Sequence, residues 1–515
     1  MKREMKREMK KRQPRTIGRS TTAVCGALLI SSLAAPPLQA APEGIPTGAE
    51  INAAVDSDLL YDSSVSSNDL DVSTTNGIVT LSGSAPNILA KERAVTIAEA
   101  VRGVRAVVNN ISVKPVLRTD DEVQRDVKFA LLGDPAADSY EVNVAVKDGV
   151  VTLTGTVQSW QEKQLSAAVA KGVKGVKELK NDIIVHYKVE RPDSQIAPEV
   201  KAVLKRDVWV DDILINSTVR DGKVTLTGTV GSAAEKTRAV SDAWITGVTS
   251  VDADGLQVEP WAKDTMKKSD KVAFKSDEAI KNAVRDALLY DPRVLSFNPT
   301  VAVSNGVVTL TGAVDNLKAK RAAEQDAKNT VGVWRVKNYL RVRVENPPTD
   351  DKLAQNVKDA LIRDPYVDRF QIAVSALNGV IYLTGTVDSY YEKSHAEDVV
   401  SRVNGVTTVN NGLSVSYPTY KHYYWPYSYN YYEPYYNWST DYTVWPYTSD
   451  AELKDEIESE LFWSPFVDSD DVKVEVENGT ATLTGTVDSW SEYESASENA
   501  QEGGADIVIN KLKVE

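Results

Sequence analysis

The pattern Gly-x-x-x-Leu-[Ser/Thr]-Gly occurs six times in this 515-residue chain, so the fold must be an array of like units. The copies begin at Gly77, Gly149, Gly222, Gly306, Gly379 and Gly479, in steps of 72, 73, 84, 73 and 100 residues. The two long steps must contain linkers. A chain of this length should in any case divide into several domains.

An amphipathic helix precedes each leading glycine in fixed register. Its first apolar residue is Ile51, Val123, Ile196, Ile280, Leu353 or Leu453, always 26 residues before the glycine. Sets such as Val123/Val127/Ala130/Leu131 recur at i, i+4, i+7 and i+8, which places them on one helical stripe. Asp-Pro pairs (Asp134-Pro135, Asp291-Pro292, Asp364-Pro365) end three of these helices, because proline cannot continue them. An alternating stretch follows, then Asn-Gly or Asp-Gly, then a Val-Thr-Leu-Thr-like strand. That dipeptide between alternating runs predicts a hairpin, since both residues tolerate positive φ. Gly77, Gly149, Gly222, Gly306, Gly379 and Gly479 are therefore structural turn glycines. The glycine closing each motif marks a bulge or a close backbone approach.

Ten residues after each turn glycine stands an N-cap type: Asn87, Ser159, Ser232, Asn316, Ser389 or Ser489. Glu162, Glu235, Glu392 and Glu492, three residues beyond four of these caps, predict capping boxes. The second helix should run to a Gly-Val corner, such as Gly103-Val104 or Gly405-Val406, before a last apolar strand such as Asn110–Val113. In the sixth copy Gly503-Gly504-Ala505 replaces the corner. The expected fold class is α+β: six tandem αββαβ modules, each a three-stranded sheet covered by two helices. The expected boundaries are 46–115, 117–187, 192–259, 276–345, 349–416 and 449–515, with linkers at 260–275 and 417–448.

The chain's beginning reads differently. Residues 1–20 are strongly basic, residues 23–35 form an apolar run, and Leu38-Gln39-Ala40 offers small residues for cleavage. This order predicts a secretory signal peptide over residues 1–40. The run is shorter than the ~20 residues a spanning helix needs, and no twin-arginine pair precedes it. Cleavage would remove Cys25, the only cysteine, and with it any disulfide or thiolate chemistry. Loss of nine Lys/Arg and two Glu would also take the net charge from −14 to −21. So acidic a chain is disfavoured as a nucleic-acid binder, and no later apolar stretch reaches spanning length. A periplasmic location, with membrane association as an option, follows from this reading.

The Asn/Asp-Gly-x-Val-x-Leu-x-Gly hairpin, the Asp-Pro after the first helix, and the Gly-Val corner before an Asn-rich strand (Val108-Asn109-Asn110, Val409-Asn410-Asn411) resemble the BON domain family. Six copies in constant register over residues 48–415 and 449–515 carry the resemblance. The resemblance implies an extracytoplasmic, non-enzymatic protein linked to osmotic-stress protection, with a phospholipid membrane surface or envelope proteins as partners. Its implied function is envelope protection through phospholipid binding. Alternatives are a scaffold for envelope proteins or cell-wall polymer, and an ion or osmotic sensor.

No residue set reads as catalytic, cofactor-binding or metal-binding. His186, His395 and His422 stand apart at non-ligand spacings, so surface or structural roles are expected. Asp468-Ser-Asp470-Asp471 and Asp252-Ala-Asp254-Gly255 lack the spacing of a calcium loop and read as solvated turns. Two aromatic groups remain as candidate lipid or partner contacts. The first is Trp160, Tyr390 and Trp490, each at the start of a second helix, where a ring either meets headgroups or covers the hairpin edge. The second is Tyr417–Tyr447, whose twelve tyrosines, three tryptophans (Trp425, Trp438, Trp445) and four prolines predict an extended linker with interfacial rings. The linker from Pro260 to Ser276 is locally basic and reads as a spacer that could also touch anionic headgroups.

Overall fold

A computed structural model describes residues 46–62, 64–65, 69–134, 142–188, 190–262, 275–291, 294, 299–367, 372–387, 390–415, 449–464, 467–503, 505 and 507–514. The expected signal segment and the Tyr/Trp linker lie outside the described residues.

The second repeat shows how each module is built. Thr119 accepts from the Glu122 backbone while the Glu122 carboxylate accepts from Thr119 N–H, a capping box that starts the helix Asp120–Gly133. The helix buries Val123, Val127 and Leu131 and stops at Asp134, ahead of Pro135. Strands Val142–Lys147 and Val150–Val157 pair antiparallel through Asp148 and Gly149, at φ 54° and 75°. Two successive positive φ values are those of a type I′ turn. The helix Trp160–Lys171 then carries the chain over the sheet, and Glu178–Val185 pairs parallel with Val150–Val157. The second strand is thus central, and both helices share one core with its Val151, Leu153 and Val157. The other five repeats follow the same order, their first helices spanning Gly48–Tyr61, Asp193–Arg206, Asp277–Tyr290, Asp350–Arg363 and Asp450–Trp463. The α+β class and the two-layer module are as the sequence predicts.

Several local details depart from the sequence reading. The last strands are longer than expected, at Ala106–Val113, Glu178–Val185 and Thr408–Val415. The corner glycine stands beyond the end of the second helix, not at its cap: the helices end at Glu99 and Lys171, and Gly103 and Gly175 follow a turn. Its positive φ is matched by crowding, since a Cβ on Gly103 or Gly175 would lie 3.1 Å from Ile51 Cδ1 or 2.9 Å from Val123 Cγ2. The corner glycine therefore seats the first helix. Glu162, Glu235 and Glu492 do not close boxes on their own caps. Their carboxylates accept from Gln158, Gly231 and Asp488, one residue earlier, and Glu235 and Glu492 also accept from Asp211 and Asp468. The second-helix cap is thereby tied to the loop after the first helix.

A further tie is repeated five times. The first residue of the first helix is Asp120, Asp193, Asp277, Asp350 or Asp450, and its carboxylate accepts from both turn N–H groups, at 2.7–3.3 Å. Gly48 holds that place in the first repeat, so its turn lacks the clamp.

The repeats also contact one another in equivalent ways. Lys171 pairs with Glu92 at 2.5 Å, joining repeats two and one. Thr237 donates to Glu99 at 3.3 Å, joining three and one, and Gln161 donates to the Trp244 carbonyl at 2.6 Å, joining two and three. The contacts of the first three second-helices therefore close a cycle. The first residue of one second helix enters a neighbouring core: Ile88 lies in that of repeat two and Ala233 in that of repeat one. Leu317 likewise enters the core of repeat five, and Lys328 pairs with Glu494 at 2.7 Å, so repeat four reuses two of these contacts, one with repeat five and one with repeat six.

Candidate functional site

The helix beginning at Trp160 starts where Ser159 accepts from Glu162 N–H. Ring placement is then set by the neighbouring repeat. The half-buried Trp160 indole stacks flat on Trp244, just past the helix Ala233–Asp242, with centroids 5.1 Å apart and planes 5° apart. Trp160 therefore covers a surface of repeat three, an outcome outside the two roles sequence suggested. Trp490 stacks on Tyr493 of its own helix at 4.6 Å and donates to Glu494 at 3.1 Å. Tyr390 opens the equivalent helix Tyr390–Ser401, but its side chain lies outside the described residues, as do Trp425, Trp438 and Trp445. The six turn glycines all have φ between 71° and 78°, so they make the hairpins.

The tryptophan pair borders a cavity of about 400 Å³ whose lining comes from repeats two, three and four. Among the described residues its charged lining is Arg206, Asp207, Arg238, Asp242, Asp291 and Asp326. Asp207 ends the first helix of repeat three and is 5% exposed. It accepts from Arg238 Nε at 2.9 Å and Nη2 at 2.5 Å. Asp242 stands one helical turn beyond Arg238, with Oδ1 3.6 Å from Arg238 Nε. Its buried Oδ2 accepts no hydrogen bond among the described residues. Burial and the adjacent Asp207 push the Asp242 carboxyl well above the usual range, against the opposing pull of Arg238 and Arg206. Burial alone would lower Arg238, but the carboxylates of Asp207 and Asp242 outweigh it and hold its guanidinium above the ordinary value.

Sequence reading missed this group, although one spacing points to it. Asp62/Arg93 and Asp207/Arg238 are ion-paired, Asp364 and His395 are within hydrogen-bond distance, and the members of all three pairs stand 31 residues apart. His395 is thereby assigned a structural place, 2.8 Å from Asp364 with its ring edge-on to Tyr366. The His186 backbone extends the third strand of its repeat, donating to Val157, and His422 lies outside the described residues. Asp468 caps the turn Ser469–Asp471, and Asp252 accepts from Asp254 N–H at 3.0 Å. Among the described residues, no three His, Cys, Asp or Glu side chains converge to hold a metal ion.

The BON domain profile matches this chain six times, over residues 47–115, 119–187, 192–260, 276–344, 349–417 and 449–515. Osmotically-inducible protein Y of Escherichia coli K12 is 34% identical over 146 residues, covering 27% of this chain and 73% of that protein. The outer membrane lipoprotein DolP of Haemophilus influenzae is 30% identical over 138 residues, covering 26% of this chain and 71% of its own. A solved structure of CdsD, a structural protein of the type III secretion system of Chlamydia trachomatis, aligns with a TM-score of 0.12 and 16% identity, covering 42% of this chain and 95% of that one. With six matched segments that together span most of its length, the chain belongs to the BON domain family.

Proposed function

We propose that this chain is an exported, non-enzymatic envelope protein that protects against osmotic stress by binding phospholipid surfaces. The observation that carries the reading is membership of a family with relatives named for osmotic induction and for the outer membrane. Geometry supports a surface role in one respect. Leu60, Leu132 and Leu289, each 17 residues before its turn glycine, are 59%, 56% and 52% exposed. Large apolar side chains repeated at one exposed position suit multivalent, individually weak contact with an acyl boundary. No described helix is long and apolar enough to cross a membrane. Contact of this kind is therefore peripheral among the described residues, and apolar insertion would have to offset the acidic charge.

Flotation with phosphatidylglycerol/phosphatidylethanolamine liposomes tests the reading. The intact chain should rise with the lipid, and a Leu60→Gln/Leu132→Gln/Leu289→Gln variant should remain largely at the bottom. Failure of the intact chain to float would overturn it.

A further inference from the structure

The third strand of repeat four differs from its counterparts in what it shows to solvent. Its outward positions are Arg335, Lys337, Tyr339, Arg341 and Arg343, all exposed, alternating with Val336, Leu340 and Val342 on the core side. Lys337 lies beside Thr309 of the central strand, and Arg341 lies beside Ala313. Alternate strand residues recur at about 6.6–6.8 Å, so four cations and one ring form a strip roughly 26 Å long. Among the described residues, none of the four cationic side chains makes an ion pair or a hydrogen bond, not even with Glu345 at the next alternate position. The neighbouring strands put no acid on this face. Their outward residues are Thr300, Ala302 and Ser304 in one, and Val307, Thr309 and Thr311 in the other.

Charges on an edge strand commonly guard it against pairing with another sheet. Guarding does not explain this strip. Where repeat four has Lys337 and Arg341, repeat one holds Val108 and Ser112, and repeat five holds Asn410 and Ser414. Like charges in a row also repel one another, so the fold gains nothing from grouping them. An anionic ligand relieves that repulsion.

We propose that this strip binds a single chain of an acidic, carboxylate-bearing polysaccharide. The planar forks of Arg335, Arg341 and Arg343 suit carboxylates, which such forks engage through two parallel bonds. Tyr339, 62% exposed in the middle of the strip, offers a ring face to a sugar and a phenol to the sugar's hydroxyls. Charge elsewhere on the molecule favours a single polymer chain over an anionic bilayer. A bilayer brings a whole plane of negative charge against a mature chain of expected net charge −21. A polymer meets the strip alone, within a screening length of about 8 Å. Single-stranded nucleic acid stacks successive bases on several rings, and this strip holds one. The site is separate from Leu60, Leu132 and Leu289 and does not rest on lipid binding.

Calorimetric titration of the mature chain with short alginate fragments, a polyuronate, tests this. Saturable binding is expected, weakening roughly tenfold as salt rises from about 50 to about 150 mM, as counterion release at four contacts requires. An Arg335→Thr/Lys337→Asn/Arg341→Ser variant takes the residues of repeat five at these positions. It should bind at least about tenfold more weakly and lose most of the salt dependence. Tyr339→Ser should weaken binding about threefold and leave the salt dependence unchanged. Both variants alter only exposed side chains, and unchanged melting temperatures confirm their folding. No saturable heat, or undiminished binding by the triple variant, would overturn the proposal. So would tighter, strip-dependent binding of phosphatidylglycerol vesicles or of oligodeoxythymidylate, each of which identifies a different partner. The Leu60→Gln/Leu132→Gln/Leu289→Gln variant should bind the fragments as the parent chain does, so this proposal and the lipid reading fail separately.

Discussion

The backbone N–H of Lys174, at the corner of repeat two, donates to the carbonyl of Arg363, the last residue of the first helix of repeat five, at 2.8 Å. Arg102 makes the same bond to Trp463 at 3.0 Å, and Val331 makes it to Arg206 at 2.8 Å. These pairs link repeats one with six, two with five, and four with three. Together with the cycle of second-helix contacts, they give the six repeats one recurring set of neighbours. A helix's last carbonyls have no partner within the helix, so a neighbour's corner N–H is a natural donor.

Amide exchange checks this arrangement. The N–H groups of Arg102, Lys174 and Val331 should be protected to the level of strand amides, although each lies in a corner. Exchange at the rate of an open loop would show that the repeats separate readily.

The turn clamp predicts a graded effect. Asp350→Ala removes two charge-assisted bonds from the Asn378-Gly379 turn and should cost about 1–3 kcal/mol, read by chemical denaturation. Asp351→Ala, at the next and exposed position, should cost less than about 0.5 kcal/mol.

Trp160→Ala should expose Trp244 and shift its emission to the red. Loss of the stacked pair and of the apolar area it covers should destabilise the contact between repeats two and three by about 1–3 kcal/mol. An unchanged spectrum would refute the stacking.

Asp398 predicts an acid sensitivity. Burial opposes its ionisation, but Arg402 and Lys318 outweigh burial and hold its carboxyl far below the usual range. The folded state thus binds this proton less readily than the unfolded chain. The contribution is full above the unfolded carboxylate value and is lost as pH falls below about 4. Lys318→Met should flatten that acid limb in thermal melts, because the Lys318 ammonium from repeat four is one of the two groups that depress it.

Asp242 has the opposite sign. Its raised folded-state value means that ionisation near neutral pH costs stability, and the cost is relieved as pH falls. Asp242→Asn should therefore raise the melting temperature at about pH 7 and make no difference at about pH 3. A lower melting temperature at neutral pH would show that the ionised carboxylate is stabilising.

What could be read from sequence was local. The Asp148-Gly149 turn, the Ser159 cap and the Val123/Val127/Leu131 stripe each follow from φ preferences or from a period of a few residues, and the structure carries all three. The Asp120 clamp was legible in principle, since an aspartate stands 29 residues before five of six turn glycines, but its meaning depends on helix and turn meeting in space. The partners of Trp160, Lys174 and Asp242 belong to tertiary structure alone. Six repeats with nearly the same pattern offer many pairings of equal local merit. Only the summed fit of whole faces, including Ile88 seated in the second core and Lys171 set against Glu92, chooses among them. Sequence therefore determined the module and its number, and packing between modules decided where a cavity with buried charge would form.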